Sequence, residues 1–145
     1  MRVNAAVEVE IQVPLRSESD LLTVRQQGLA LMQLAGFTGT DSTIITTVVS
    51  DVARKIIEYA HGGEILIGVV NHGGARGILV KARDNGNGIP DLLQTVMDDH
   101  EIGRSLQVAR ELMDEFSIDS KVGGGTTVTM RKWMKSRANC DFFVS

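Results

Sequence analysis

Cysteine, proline and aromatic residues are scarce in this 145-residue sequence, and an excess of basic residues is absent. There is one cysteine, Cys140, and there are two prolines. A single cysteine excludes an internal disulfide and a cysteine-clustered zinc site, and it fits a reducing compartment. The formal net charge of −3 provides no basic surface for nucleic acid or anionic lipid. We therefore expect no nucleic-acid partner.

Long apolar runs are also missing. No run approaches the length that spans a membrane, and Glu8 and Glu10 interrupt the first apolar residues, so an export signal is not expected. A content of 43% hydrophobic and 23% charged residues is typical of a globular domain. We predict a cytoplasmic protein without a membrane partner, built as one domain over residues 1–135. Residues 136–145 show no regular pattern and are predicted to be a tail, for which the sequence permits disorder.

Apolar spacing predicts a series of strands and helices. Residues 7–13 alternate apolar and polar side chains, which is typical of a strand with one buried face. Ser17 and Gly36 are placed to begin and end a first helix, and Gly39 begins a longer one. In chain order the patterns predict a strand at 7–13, helices at 17–36 and 39–60, a hairpin of strands at 64–70 and 77–83, a lid at 91–101, a helix that follows 103–105 and reaches Phe116, and strands at 117–122 and 126–133. This order indicates an α/β (α+β) two-layer sandwich, with a mixed β-sheet and helices on one face.

The segment 84–91, with the sequence DNGNGIPD, places a carboxylate and two glycines where a predicted strand ends. A fixed carboxylate at Asp84 accepts a hydrogen bond from an exocyclic amine such as that of adenine, whereas guanine presents an acceptor at that edge. Gly86 and Gly88 allow positive φ and let a flat ring approach the backbone. Asn-Gly pairs are also the commonest short-range turn signal. Taken alone, the segment is therefore either a turn or the wall of a nucleotide site.

Charged residues mark two further candidate positions. Asp51 and Lys55 are one turn apart at the border of the apolar arc of the second helix, so they either form a salt bridge or line a pocket beside the core. Gly103, Arg104 and Ser105 precede the third predicted helix, whose N-terminus favours an anion and where Arg104 offers a bidentate contact to phosphate. A solvated surface side chain is the alternative for Arg104.

Four pieces of the chain, taken together and in this order, resemble the GHKL (Bergerat-fold) ATP-binding superfamily. They are residues 50–55 on the second helix, the segment 84–91, residues 112–116, and residues 125–126 at the start of the last strand. Within the superfamily the sequence is most similar to the anti-sigma-factor serine/threonine kinases, especially the RsbT-type switch kinases of bacterial stress signalling. The likeness covers residues 7–133.

The resemblance implies a site for ATP or ADP. It implies that Asp84 receives the adenine amine, directly and through a water that Thr126 also holds. It also implies that Gly86, Gly88 and Ile89 shape the adenine pocket. The region around residue 103 would then cap the phosphates.

The sequence departs from these kinases at two positions of the second helix and in the lid. Where the family has a glutamate as general base, Asp51 keeps a carboxylate with a reach shorter by one methylene. Where the family has an asparagine that binds magnesium, Lys55 is a cation that ligates no hard metal while protonated. The family's glycine-rich lid run is reduced to Gly103, followed by Arg104 and Ser105. Mg²⁺ as a cofactor is therefore an open question, because an ammonium at position 55 is able to neutralise phosphate charge instead.

Two interpretations of function stay open. In the first, the protein is a kinase that transfers the γ-phosphoryl group of ATP to a serine or threonine of a STAS-domain antagonist or scaffold, with a downstream phosphatase or a sigma-factor regulator as further partners. Asp51 would act on the hydroxyl, Asp84 would select adenine, and Arg104 would steady the transferring charge. In the second, the protein is a catalytically weakened nucleotide-binding module that regulates by sequestering a partner. Lys55 discriminates between the two, and the alternating first strand would support a homodimer if it lies at a sheet edge.

Overall fold

The computed structural model describes residues 6–37, 39–60, 62–84, 108–121 and 125–134. The strands are β1 (Ala6–Leu15), β2 (Gly63–His72), β3 (Ala75–Asp84), β4 (Glu115–Lys121) and β5 (Gly125–Trp133), and the long helices are α1 (Glu18–Ala35) and α2 (Gly39–Ala60). Residues 108–112 are also helical. None of the helices within these ranges is both long and apolar enough to cross a membrane.

The strands form one sheet in the order β1-β2-β3-β5-β4. Helices α1 and α2 contact each other and pack against the same core as the sheet, so the predicted two-layer sandwich with helices on one face is confirmed. The predicted hairpin of β2 and β3 is confirmed as well. The turn between these strands consists of Gly73 and Gly74, whose positive φ angles of 59° and 83° are favourable for glycine.

Every pairing between the described strands is antiparallel, which corrects the prediction of a mixed sheet. A parallel neighbour requires a crossover connection, usually with one helix between the two strands. Between β1 and β2 the chain passes through two helices instead, so it re-enters the sheet in the opposite direction. Strands β3 and β4 run in the same direction, but β5 lies between them.

The core lies between the two long helices and one face of the sheet. Side chains alternate along each strand, so every second residue points to the helices. The buried inward-facing residues of the three central strands are Ile65, Ile67, Val69, Ile78, Val80, Ala82, Val128 and Met130. Helix α2 covers them with the apolar arc that its sequence predicts, which includes Ile45, Val48, Val49, Val52, Ala53 and Ile56.

Capping residues set the two ends of α1. The Asp20 carboxylate accepts hydrogen bonds from the backbone N–H groups of Arg16 at 2.7 Å and Ser17 at 3.1 Å. These bonds hold the pKa of Asp20 below its usual value. At the other end Gly36 adopts a φ of 96°, and the N–H of Phe37 donates back to the last turn at 2.9 Å. The predicted start at Ser17 and stop at Gly36 are confirmed.

Strand β1 lies at the edge of the sheet and is less regular than its sequence predicts. The register with β2 shifts between Val7 and Val9, and Val9 is 39% exposed although Val13 and Leu15 are buried. A bulge sets two residues against one and interrupts the alternation. The prediction of one uniformly buried face was therefore wrong at this end of the strand. The homodimer through this edge stays a prediction.

The third predicted helix does not extend to Phe116. That residue lies in β4 and pairs with Met130 of β5. Phe116 is three residues after Met113 and two residues before Ile118, so it satisfies both the helical and the strand period. Phe116 lies in a strand because it pairs with β5. A local sequence pattern does not reveal this pairing. The predicted lid at 91–101 and the start of this helix lie outside the described residues.

Substituting Gly63 by alanine is expected to destabilise the fold. A Cβ at this position would collide with the backbone oxygen of Arg83 and would lie 2.9 Å from the Cα of Asp84. Because both atoms belong to the paired strand, the sheet itself must shift, at a cost of about 1–3 kcal/mol. Gly28→Ala is the matched control, since its Cβ meets only the flexible end of Ile67 at 3.2 Å and alanine is favoured in helices by about 1 kcal/mol. Urea unfolding measures both variants, and an unchanged midpoint for Gly63→Ala would contradict this expectation.

Candidate functional site

The inward-facing rows of β3 and β5 end in two buried polar residues. On β3 every second side chain points inward, so Asp84 follows Val80 and Ala82 on the inward face, and Asp84 is 5% exposed. On β5 the inward-facing residue two positions before Val128 is Thr126, which is 4% exposed. The backbone N–H of Thr126 donates to Asp84 Oδ2 at 3.1 Å. The structure thus brings together two of the residues that the sequence proposes for an adenine site.

The surroundings of Asp84 suit a ligand that donates a hydrogen bond. On one side its sheet neighbour is Gly63, so that position of β2 places no side chain beside the carboxylate. A carboxylate has about four lone-pair sites, so the bond from Thr126 is compatible with a further donor. The Asp84 carboxylate would accept a hydrogen bond from an amine on the edge of a base, and it would repel a carbonyl oxygen at the same position.

Helix α2 carries a second pair of predicted site residues. Lys55 is 5% exposed, which is unusual for a lysine. Within the described part of the chain, Lys55 Nζ lies 3.9 Å from Glu58 Oε1, and the Glu58 side chain is 50% exposed. The salt bridge between Asp51 and Lys55 that the sequence allowed is therefore replaced by a long contact to Glu58. A contact of this length to a half-exposed partner contributes little stability.

The topology connects α2 directly to the end of the sheet that carries Asp84. Helix α2 ends at Ala60, and β2 begins at Gly63, the residue paired with Asp84. Lys55 lies five residues before the end of the helix, roughly 8 Å along its axis. The predicted base and the buried lysine thus lie on the element that leads into the strand next to Asp84.

Asp51 is half-buried and lines an open cleft of about 460 Å³. The cleft lies against α1, α2 and the helical residues that begin at 108. Its lining residues are Arg25, Thr46, Thr47, Val48, Ser50, Asp51, Arg54 and Val108. The cleft is large enough to admit a side chain of another molecule beside the Asp51 carboxylate.

Sequence reasoning missed the two arginines of this cleft. Arg25 Nε donates to Ser50 Oγ at 3.2 Å and so connects α1 to α2. Ser50 and Arg54 lie opposite the apolar arc of α2 on a helical wheel, where solvent exposure is expected, but Ser50 is buried because α1 covers it. Nothing in a single sequence shows which residues of α1 face α2, so no local signal marked Arg25.

Several predicted site residues lie outside the described part of the chain. They are Gly86, Gly88, Ile89, Gly103, Arg104 and Ser105. Their contacts with nucleotide stay predictions.

The fold is a two-layer domain with a buried carboxylate, Asp84, at one end of its sheet. The chain belongs to the family of histidine kinase-like ATPase domains, whose model matches residues 13–132. This assignment confirms the resemblance to the GHKL superfamily that the motifs suggest, and nucleotide binding is the property that the family implies.

Two relatives of known identity share most of their length with the chain. The serine/threonine-protein kinase RsbT of Bacillus subtilis (strain 168) is 36% identical over 127 residues, which cover 85% of this chain and 96% of the relative. An anti-sigma F factor of Geobacillus kaustophilus (strain HTA426) is 30% identical over 146 residues, with 92% and 98% coverage. The chain is thus homologous to regulatory proteins of the RsbT and anti-sigma F type.

A solved structure supports the fold. A chain in the crystal structure of the SiaB–SiaC complex from Pseudomonas aeruginosa superposes with a TM-score of 0.53, covering 88% of this chain and 91% of that one. The sequence identity is 10%, so the similarity concerns the architecture alone.

Proposed function

We propose that the protein is a cytoplasmic serine/threonine kinase that binds ATP and phosphorylates a STAS-domain partner in stress-response signal transduction. The observation that carries the proposal is the placement of Asp51 in an open cleft, on the helix that leads to the strand beside Asp84. One carboxylate is thus accessible to another protein while the other is buried in a position that suits a purine amine. A downstream phosphatase or a sigma-factor regulator is proposed as a further partner.

In the proposed reaction Asp84 holds the adenine amine, and Asp51 acts on the acceptor hydroxyl. The hydroxyl oxygen attacks the γ-phosphorus, a new P–O bond forms, and the bond between that phosphorus and the β,γ-bridging oxygen of ATP breaks to release ADP. The hydroxyl proton passes to the Asp51 carboxylate. A positioned base of this kind contributes about 10²–10⁴-fold to the rate. Thr126 supports Asp84 through its backbone N–H.

The residues outside the described ranges complete the proposed nucleotide site. Gly86, Gly88 and Ile89 would form the wall against the adenine ring, since glycines let a ring approach the backbone. Arg104, next to Gly103 and Ser105, would contact the phosphates.

The described residues do not fit a magnesium site on α2. Mg²⁺ requires octahedral coordination by oxygen atoms, whereas Lys55 places a buried cation at the position where the related kinases have a metal ligand. Among the described residues no group of three His, Cys, Asp or Glu side chains is arranged to hold a metal ion.

The buried Lys55 also favours a second candidate function. A cation at this place neutralises phosphate charge without the geometry that a metal imposes on phosphoryl transfer. The protein would then be a nucleotide-binding module that sequesters or releases a regulatory partner and transfers no phosphate.

Phosphorylation by the unmodified protein and by Asp51→Asn distinguishes the two functions. STAS-domain proteins encoded in the same genome are purified and incubated one at a time with the protein and radiolabelled ATP. We expect one of them to be labelled on serine or threonine, and Asp51→Asn to reduce the rate at least about 100-fold while ATP affinity stays unchanged. If ATP binds but no STAS-domain protein is labelled, the binding module is the function.

A further inference from the structure

The cleft beside Asp51 is locally positive in a protein that is acidic overall. The formal net charge of the chain is −3, yet the charged residues that line the cleft are two arginines, Arg25 and Arg54, and one aspartate, Asp51. The ion pairs formed between described residues involve neither of these arginines. Their charge is therefore available to attract an anion into the cleft.

The two arginines that line the cleft come from different helices. Arg25 on α1 uses its Nε donor for Ser50 Oγ at 3.2 Å, while the terminal nitrogens of the guanidinium carry its other four N–H groups. Arg54 lies three residues after Asp51 and four after Ser50 on α2, so these side chains share one face of the helix. The Asp51 carboxylate therefore shares one cleft with two guanidinium-bearing residues. Arginine is well suited to bind carboxylate and phosphate through paired hydrogen bonds.

The cleft extends away from the nucleotide end of the fold. Its lining on α2 runs from Thr46 to Arg54, whereas Asp84 pairs with Gly63, just beyond the C-terminal end of the same helix. Thr46 is 14 residues before Ala60, roughly 20 Å along the axis. The cleft thus reaches past Asp51 toward the end of α2 that is far from Asp84, which leaves room for a protein substrate on that side.

We propose that Arg25 and Arg54 form a docking site for an acidic side chain of the partner, next to the hydroxyl that Asp51 acts on. This inference rests on the proposed function in assigning Asp51 to the acceptor hydroxyl. It adds the chemistry of the partner, namely an Asp or Glu close to the acceptor serine or threonine. Electrostatic attraction between this residue and the two arginines would align the hydroxyl with Asp51 before transfer.

Three short peptides of equal length test the proposal by NMR titration of the ¹⁵N-labelled protein. The first has a serine flanked by glutamates, the second has glutamines in place of the glutamates, and the third is the glutamine peptide with phosphoserine. We expect the acidic peptide to shift the amide signals of cleft residues and to bind about tenfold more tightly than the glutamine peptide, as two partly exposed charge contacts allow. The difference should shrink at high salt.

Variants assign the effect to the two arginines. The double variant Arg25→Gln/Arg54→Gln should lose the preference for the acidic peptide, while Arg76→Gln, which removes an arginine paired with Glu8 on the sheet, should keep it. ATP affinity should be the same in all three proteins. Equal binding of the acidic and glutamine peptides, or no binding of the acidic one, would overturn the proposal. Preference for phosphoserine alone would assign the arginines to the reaction product, and lost ATP affinity would assign them to the nucleotide.

The titration does not depend on phosphoryl transfer. If the protein binds the acidic peptide through the arginines but labels no substrate, the docking site is supported and the proposed kinase activity is contradicted. If the double variant labels a STAS-domain protein at the rate of the unmodified protein, the kinase activity is supported and the docking site is contradicted.

Discussion

Replacing Asp84 by asparagine is expected to weaken ATP binding about 100-fold while the fold stays intact. The amide oxygen of asparagine can accept the N–H of Thr126 in place of Asp84 Oδ2. In that orientation the amide NH₂ faces the adenine amine, so a donor meets a donor. Losing a hydrogen bond to a charged acceptor and leaving a buried donor unpaired costs about 3 kcal/mol, which is roughly 100-fold in affinity. Calorimetric titration with ATP measures the change.

Asp41→Asn provides the matched control for this measurement. Asp41 lies in the first turn of α2, at the opposite end of the helix from Gly63 and Asp84, and its substitution removes the same charge. We expect it to bind ATP as the unmodified protein does. Thermal unfolding of Asp84→Asn should confirm a folded protein. A folded Asp84→Asn variant with full ATP affinity would show that the adenine site is not at this carboxylate.

Features that depend on neighbouring residues were predictable from the sequence. Helix α1 begins and ends at Ser17 and Gly36 because a nearby carboxylate and a glycine satisfy its terminal backbone groups. The apolar arc of α2 followed from its periodicity in the same way. The hairpin of β2 and β3 followed from two apolar runs separated by Gly73 and Gly74.

Features that depend on a distant partner were not predictable from local pattern. Phe116 fits two periods, and pairing with β5 chose between them. The exposure of Val9 follows from a bulge in its pairing with β2. Whether the sheet is mixed or antiparallel depends on which strands pair, and β3 pairs with β5 and not with β4. In each case the deciding contact lies far along the chain from the residue that it affects.

The candidate site shows the same division. Asp84 at the end of an apolar strand was a reasonable ligand position from its residues alone, but its contact with Thr126 joins residues 42 positions apart, and only the family resemblance related them. Arg25 lies in no motif, and Arg54 lies within the motif at 50–55 but was given no role there, because the cleft exists only once α1 has packed on α2. The role of a residue within one segment could therefore be proposed from the sequence. Contacts between residues of different segments could be identified only from the fold.

Lys55 combines both kinds of information, and we propose that it helps to hold the nucleotide. The sequence shows a lysine where the related kinases have an asparagine, and the structure shows that this lysine is buried on α2. An ammonium attracts the negative charge of phosphate groups over a short distance. If the triphosphate of ATP lies near α2, Lys55 is expected to take over the charge neutralisation that a metal ion provides elsewhere.

Substituting Lys55 by asparagine is expected to make ATP binding dependent on magnesium. The unmodified protein should bind ATP with the same affinity in excess EDTA and in magnesium, because the ammonium is part of the chain. In Lys55→Asn the cation is lost and a carbonyl oxygen, a ligand that Mg²⁺ accepts, is placed at the same position. We expect about tenfold weaker binding in EDTA than in magnesium for this variant, equivalent to about 1.4 kcal/mol. Calorimetry under both conditions measures the ratio.

Lys55→Met separates the loss of charge from the gain of a metal ligand. Methionine keeps an unbranched, buried side chain but supplies neither a cation nor an oxygen, so ATP binding should weaken equally in EDTA and in magnesium. A magnesium effect that appears in Lys55→Asn and not in Lys55→Met would therefore come from the carbonyl. Strong magnesium dependence of the unmodified protein would contradict the role of Lys55 and favour an active kinase in which the phosphates and other groups hold the ion. Absence of ATP binding in either buffer would contradict both nucleotide-dependent functions, and the fold would then serve protein contacts alone.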